Sequence, residues 1–350
     1  MDRLSKLALV LTPGVGPVRF RRLLERFGTL DAIVDADIRD LLEIVPKKVA
    51  YSLKNPDLEK AEEELRRAEE RGAKIIFFDD EEYPQELRNI QHAPPLLYAR
   101  GNMELLHRRK FAIVGTRKPT DYGRRMAMRF SSALRDAGLV IVSGGAIGID
   151  AVAHRGALPD TIVVLGSGID MLYPRTNLRL FREILEQGGL IISQFPMGTG
   201  PSKETFPMRN LTIAGLSMGV LMVEGAEDSG ALITARYAFD FDREVFTIPN
   251  RVDVPQSRGP VRLMKEHIAH VVESPEDILR ELGFGTSSRA VEKVELTPME
   301  KEVLDAIVGK VHFDDLLERF DDISSLSMAL LNLELKGLIE KLPGNYYQRT

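Results

Sequence analysis

Residues 111–118 read FAIVGTRK. Four apolar residues stop abruptly at Gly115. A hydroxyl, a guanidinium and an ammonium follow on Thr116, Arg117 and Lys118, and helix-compatible sequence begins near Asp121. The pattern predicts a strand, a tight turn and a helix N-terminus. Free main-chain amides and the helix dipole make such a turn a natural anion site. With two further positive charges beside it, the expected anion is a phosphate.

The same alternation continues on both sides. Apolar strand-like runs occur at KFAIV (110–114), LVIVS (139–143), TIVVL (161–165), LIIS (190–193), VLMVE (220–224) and EVFTI (244–248), with helical segments between them. Six such runs imply an α/β core with a parallel, doubly wound sheet. Ligands of such sheets sit at the carboxyl ends of the strands. The polar and glycine-rich turns fall there: GTRK (115–118), SGGAIGID (143–150), GSGID (166–170), SQFPMGT (193–199) and EGAEDSGALITAR (224–236).

Composition narrows the function classes. The chain has 350 residues, 44% of them apolar, with mixed charge, so it is long enough for two or three domains and is not a disordered polyelectrolyte. It contains no cysteine, which removes disulfides, thiolate zinc and thiol catalysis and fits the cytoplasm. Its six histidines lack HxxxH spacing, so no metal is expected. No apolar run reaches the roughly 18 residues of a membrane span. The N-terminal MDRLSKLALVLTPG continues into an amphipathic helix and does not read as a signal peptide. The net charge is -5, yet residues 107–129 hold eight basic residues against one acid, around the glycine turn. A local positive field can hold a polyanion despite a negative total.

The flanks differ from the core. Residues 1–55 read as short helices, a helical domain of helix-hairpin-helix or SAM-like type. In it, TPGVGPVRFRRLLERFG sets Gly14-Val15-Gly16-Pro17 before a basic helix, a hairpin that serves either structure or a DNA phosphate. Residues 56–282 form the extended sheet domain. It opens with a surface helix from Asn55 to Arg71 carrying Glu62–Arg66 and Glu63–Arg67 pairs. KIIFF (74–78) is a strand, and the proline-rich stretch from Tyr83 to Gly101 a connector. GFGTSSRA (283–290) reads as a linker. Residues 291–350 suggest three helices and a hairpin, a winged-helix-like domain. That segment holds seven basic residues against twelve acids, and its candidate recognition helix (325–336) has only Lys336 as a cation. A protein-contact or structural role is favoured there over reading of bases.

Several residues carry candidate chemistry. Ser143, Gly144, Gly145 and Gly148 can form an amide cradle for an anion. Gly166 begins a further glycine turn. Lys203 and Arg209 flank Phe206 in a loop and read as ligand-facing. Tyr173, Phe195 and Phe206 lie near strand ends, as packing residues or as faces for a base. Asp150 and Asp170 each follow an isoleucine and read as helix caps in preference to acid/base catalysts. No G-x-x-x-x-G-K-[ST] occurs, and the first turn is GTRKPTDYG rather than G-x-G-x-x-G. A P-loop nucleotidase and a dinucleotide cofactor are therefore both disfavoured.

Together these motifs resemble the DNA-processing protein A (DprA/Smf) family. The resemblance rests on VGTRKPTDYGRRMA (114–127), SGGAIGIDAVAHRGAL (143–158), VLGSGIDMLYPRTN (164–177), FPMRNLTIAGLS (206–217), EDSGALITARYA (227–238) and EVFTIPN (244–250). It implies a Rossmann-like core that binds single-stranded DNA, loads the recombinase RecA in natural transformation and needs no cofactor. It also implies an N-terminal helical domain and a C-terminal winged-helix-like domain. Single-strand-binding protein is an implied partner. The phosphate-binding set implied is Gly115, Thr116, Arg117, Lys118, Ser143, Gly144, Gly145, Gly148, Gly166, Lys203, Phe206, Arg209 and Asn210. The family tends to form homodimers through the Rossmann-like domain, which makes Leu263, Met264 and Ile268 candidates for the contact. This chain departs from the family pattern at Ile147, Met208 and Leu211, where many members carry arginine.

Two readings follow. One is a non-enzymatic mediator that protects single-stranded DNA and loads RecA, in transformation or in repair. The other is a nucleotide-processing enzyme of phosphoribohydrolase type, whose PGGxGTxxE motif is replaced here by EGAEDSGALITAR.

Overall fold

The computed structural model describes residues 2–284, 296–320 and 322–349. The chain divides into two compact units, one ending at Phe284 and one beginning at Gly285. The linker expected over 283–290 lies, from residue 285 onward, outside the described residues.

Nine strands of the first unit form one sheet: β1 (Lys74–Phe77), β2 (Leu96–Gly101), β3 (Lys110–Val114), β4 (Val140–Ser143), β5 (Thr161–Leu165), β6 (Leu190–Ser193), β7 (Gly219–Met222), β8 (Glu244–Thr247) and β9 (His270–Val271). Their order is β1-β2-β6-β5-β4-β3-β7-β8-β9. From β6 to β9 every neighbour is parallel. The β1–β2 and β2–β6 pairs are antiparallel. The chain leaves β3 toward β4 on one side and returns to pair β7 on the other. The turns after β3 and β7 thus run apart and open a crevice between them.

Period-two alternation sorts the side chains onto two faces. Phe111 and Ile113 join a core with Ile141, Leu221 and Phe246, while Ala112 and Val114 join another with Val142, Val164 and Val220. A third core ties the N-terminal helices to the sheet, with Leu7, Phe20, Leu23, Ile33, Leu41 and Leu53 beside Phe77, Tyr98, Val163, Leu165 and Phe181.

All seven strands expected in this unit are present, and the stretch taken as a connector holds another. β2 lies inside Tyr83–Gly101, just after Pro94-Pro95. Its first four residues are buried, and it links β1 to β6. The expected surface helix is Leu58–Glu70, and one face is buried through Ala61, Glu64 and Ala68. Its ion pairs also differ. Arg66 lies between Glu63 and Glu70, and Arg67 reaches Asp170 at 2.9 Å. Arg67 reaches the loop after β5, where a largely buried partner outweighs an exposed one on its own helix. Glu64 is buried too, accepting from the Tyr98 hydroxyl at 2.6 Å and the Met197 amide at 2.7 Å.

The second unit holds helices Pro298–Ala306, Phe313–Leu317 and Ile323–Leu335 and strands β10 (Val311–His312), β11 (Ile339–Leu342) and β12 (Tyr346–Arg349), in the order β10-β12-β11. Val303, Leu316, Leu326, Leu330, Leu333 and Tyr347 fill its core. This is a winged helix. Its longest helix runs from 323 rather than 325, because Asp322 caps it, and it exposes Met328 and Leu331 instead of cations. Among the described residues no helix is long and apolar enough to cross a membrane.

One buried residue sets a pH response. His154 is wholly buried, with Nδ1 2.7 Å from the Thr161 hydroxyl. Thr161 already donates to the Ile141 carbonyl at 2.8 Å, so the histidine is the donor and Nε2 carries a lone pair with no protein partner. Burial depresses its pKa to about 3. The unfolded chain therefore binds the proton first as pH falls below about 6.5, and stability drops through that window toward pH 3. Urea titrations at pH 7 and pH 5 should show the wild type losing roughly 1 kcal/mol per pH unit more than His154→Gln. Identical losses would show that His154 protonates in place.

Candidate nucleic-acid interface

The crevice between β3 and β7 is a cavity of about 470 Å³. One wall is Val114, Gly115, Thr116, Arg117 and Lys118; the opposite wall is Ala226, Ser229, Gly230, Ala231 and Thr234, with Asp150, Phe206, Arg209, Asn210, Pro255 and Gln256 between them. A second cavity of about 240 Å³ is lined by Gly144, Ile147, Gly166, Ser167, Tyr173, Pro174 and Thr176. Arg117, Ala146, Phe206 and Arg209 line both cavities.

Local chemistry holds the GTRK turn. The Thr116 amide donates to the Glu224 carbonyl at 2.7 Å, and the Lys118 amide to the Thr116 hydroxyl at 3.2 Å. The buried Glu224 carboxylate accepts from the Thr120 amide (2.9 Å), the Thr120 hydroxyl (2.6 Å) and Asn250 (2.9 Å). Thr120 in turn caps helix Asp121–Asp136. Glu224 thus fastens the loop to the helix start and is a structural carboxylate. Gly115 is required for closeness: a Cβ there would lie 2.6 Å from the Ile149 side chain and 2.9 Å from the Glu224 carbonyl. Across the cavity, Ser229 caps helix Gly230–Asp240, whose N-terminus lines the space, whereas the N-terminus of Asp121–Asp136, expected to receive an anion, is already occupied by the Glu224 carboxylate.

Arg209 is not a free cation. It is buried on helix Thr205–Leu216 and donates to the Gly144 carbonyl, to the Val164 carbonyl at 2.7 Å and to Asn210 at 3.1 Å. Asn210 passes the connection to the Gly230 carbonyl at 3.1 Å. Burial lowers the Arg209 pKa to about 10, still charged at neutral pH, and burial also raises that of the neighbouring Asp150. The guanidinium therefore braces the ends of β4 and β5 and gives the cavities a fixed positive wall. Phe206 is flanked by Arg117 at 5.5 Å and Arg209 at 5.8 Å from its ring centre, with the half-exposed Tyr173 ring 6.1 Å away.

Other expected site residues lie in different places. Ser143 is buried and donates to the Ile113 carbonyl at 2.6 Å, facing the core. Gly145, at φ +70°, packs against Val163 and Phe181. Gly148, at φ +88°, abuts the GTRK backbone. Gly144 and Gly166 line the second cavity, where a Cβ would strike Arg209 and Phe206 respectively. Lys203 is exposed and lines neither cavity. Phe195 is buried. Neither aspartate is a helix cap. Asp150 sits inside the first turn of Ile149–Ala157 and accepts from the Ala146 amide at 3.2 Å; Asp170 accepts from Gly198 at 2.9 Å and pairs with Arg67. Of the dimer candidates, Leu263 is wholly buried in the core, whereas Met264 and Ile268 are part-exposed.

Ser229, Gly230 and Thr234 belong to the EGAEDSGALITAR turn expected at the ligand edge and line the cavity there, but they are not among the phosphate-binding residues that the resemblance implies. Gln256, which donates to the Lys118 carbonyl at 3.3 Å, carries no such signal. Three potential metal-binding side chains, Glu244, His270 and Glu281, meet at the β8–β9 edge with ligand atoms within 4.8 Å of one another. Glu244 and His270 already face each other at 3.2 Å.

Comparison with known proteins adds three family matches. Residues 74–283 match the model of DNA recombination-mediator protein A, residues 287–345 the DprA winged helix domain, and residues 7–55 a SAM-like helix-hairpin-helix tandem. Protein Smf from Synechocystis is 34% identical, with 98% of each chain covered. The crystal structure of DNA processing protein A from Streptococcus pneumoniae superposes with a TM-score of 0.71 at 32% identity, covering 80% of this chain and 98% of that one. A structure of DNA processing protein A from Helicobacter pylori, concerned with its single-stranded DNA binding mode, gives a TM-score of 0.54 at 32% identity, covering 57% of this chain and 92% of that one.

Proposed function

The chain belongs to the DNA recombination-mediator protein A family, and from that premise we propose that it is a non-enzymatic mediator that binds single-stranded DNA in the crevice between β3 and β7. The observation that carries this reading is the pairing of two exposed cations, Arg117 and Lys118, with an aromatic wall at Phe206 and the N-terminus of helix Gly230–Asp240. Phosphates lie against Arg117 and Lys118, with the Thr116 hydroxyl as a further donor. A base stacks on Phe206 or Tyr173. Lys203 reaches incoming phosphate from the exposed loop, and Arg209 contributes field rather than direct contact. Such a site favours unpaired strands, since a stacked duplex offers no free base face.

The same reading makes RecA the recipient of the strand, with single-strand-binding protein as the coat to be displaced, in the cytoplasm, during transformation or repair. It makes the working form a homodimer, with Met264 and Ile268, and not the buried Leu263, available to the partner. Two tethered sites raise the effective concentration of the second contact.

The test joins binding to output. The wild type should prefer a single strand to a blunt duplex, and should raise ATP hydrolysis by RecA from the same host on coated strands. Arg117→Ala should reduce both effects and lower the salt slope by about 0.7. Unchanged binding in Arg117→Ala would move the site elsewhere. Normal binding without stimulation of RecA would leave protection of the strand and remove the loading step.

A further inference from the structure

Several arginines of the first unit are held by acids. Arg66 lies between Glu63 and Glu70, Arg236 and Arg262 share Glu266, and Arg251 pairs with Asp253. Helix Asp121–Asp136, which follows directly on the GTRK turn, carries a cluster that is not held in this way. It exposes Arg124, Arg125 and Arg129, and among the described residues none of the three makes an ion pair or a side-chain hydrogen bond. Arg155 is exposed on helix Ile149–Ala157. That helix packs closely, since a Cβ on Gly156 would lie 3.0 Å from Met128 Sδ. Arg125 and Arg129 are i,i+4 like charges, a spacing that weakens a helix when no acid intervenes.

The placement ties these cations to the cavity. Thr120 caps this helix two residues after Lys118. From Asp121 to Arg129 the helix rises about 12 Å at 1.5 Å per residue, so the cations ascend from the cavity mouth over the first turns. Met128, 40% exposed, lies among them and offers an apolar surface to a sugar or a base. The row follows one helix: Arg125 and Arg129 stand one turn apart in a single line, with Arg124 about 100° to the side. One phosphate backbone matches that, whereas a duplex presents two.

We propose that a single strand leaving the Arg117 cavity continues along the outer face of helix Asp121–Asp136, its phosphates neutralised by Arg124, Arg125 and Arg129, with Arg155 at the flank. This rests on the single-strand reading of the cavity. The path explains why the helix keeps mutually repelling arginines without acidic partners: the strand is their counter-charge.

The experiment compares wild type with the double variant Arg125→Ala/Arg129→Ala on two oligothymidylates, one of about thirty nucleotides and one of about four, across a salt series. The long strand should lose about 1.4 from its salt slope, two contacts at about 0.7 each, while the short one, confined to the cavity, binds as before. The melting temperature without DNA should not fall, because alanine favours helix and the repulsion is gone. An unchanged slope on the long strand overturns the path. Equal loss on the short strand overturns it too, placing the arginines in the cavity itself. Loss confined to a blunt duplex would make the helix a duplex contact. Failure of the wild type to bind the long strand would instead sink the single-strand reading.

Discussion

Arg209→Met should destabilise the protein by about 3–5 kcal/mol, the range for removing one partner of a buried charged network. Methionine has similar length and fills the space, so the loss reports charge and hydrogen bonds rather than a void. The Gly144 and Val164 carbonyls lose their donor, and Asp150 loses the cation that faces it. The deficit should grow with pH. Without the cation the Asp150 carboxyl, already raised by burial, is raised further. A group with a raised folded pKa supports the fold below that value and withdraws support as pH rises through it. Urea denaturation of both proteins at pH 5 and pH 8 measures this. A loss below about 1 kcal/mol at both values would show that water replaces the guanidinium and that Arg209 is a ligand group after all.

Gly148→Ala should be nearly as damaging and should also disable the cavity. Gly148 has φ 88° and ψ −130°, a region almost closed to residues with a side chain. Its added Cβ would sit 2.8 Å from Arg117 Cα and closer still to the Thr116 carbonyl. Both are main-chain atoms, so no flexible group can yield. The loop must retreat, the Ile149 amide loses its 3.2 Å bond to Thr116, and Arg117 moves. The expected cost is on the order of 2–4 kcal/mol, with single-strand affinity falling about tenfold or more, roughly 1.4 kcal/mol. Gly138→Ala supplies the control, because Gly138 has φ +93° but nothing within 4 Å of the added Cβ. It should cost roughly 1–2 kcal/mol of strain and leave binding intact. Equal affinities for the two variants would show that close contact at Gly148 does not position Arg117.

What the sequence reveals depends on the range of the interaction. β3 and its turn were legible because a buried strand needs a continuous apolar run and its exit needs glycine. β2 was not, because LLYARG follows two prolines and ends in polar residues, and only pairing with β1 and β6 makes it a strand. Arg117 and Lys118 lay where their turn placed them. Arg209 did not: FPMRN shows a cation after an aromatic residue but not the carbonyls of Gly144 and Val164, 65 and 45 residues away in the chain. Asp150 and Asp170 show the same limit. A carboxylate near a glycine turn caps a helix or joins distant segments, and the local pattern is alike for both. Leu263 resembled an interface residue because apolar character does not say which side of a helix faces the sheet.

The core that joins Leu7, Phe20 and Leu53 to Phe77, Tyr98 and Leu165 makes the first fifty-odd residues a poor candidate for independent removal. A segment tethered only by a flexible connector can be lost or exchanged between genes without harm to its neighbour. Here an exchange would strip cover from one face of the sheet. It would also strand the Tyr98 and Met197 donors if the partner helix with Glu64 departed as well. A cut that preserves folding therefore lies beyond Phe284, where the compact unit ends, and a cut before the sheet uncovers one of its faces.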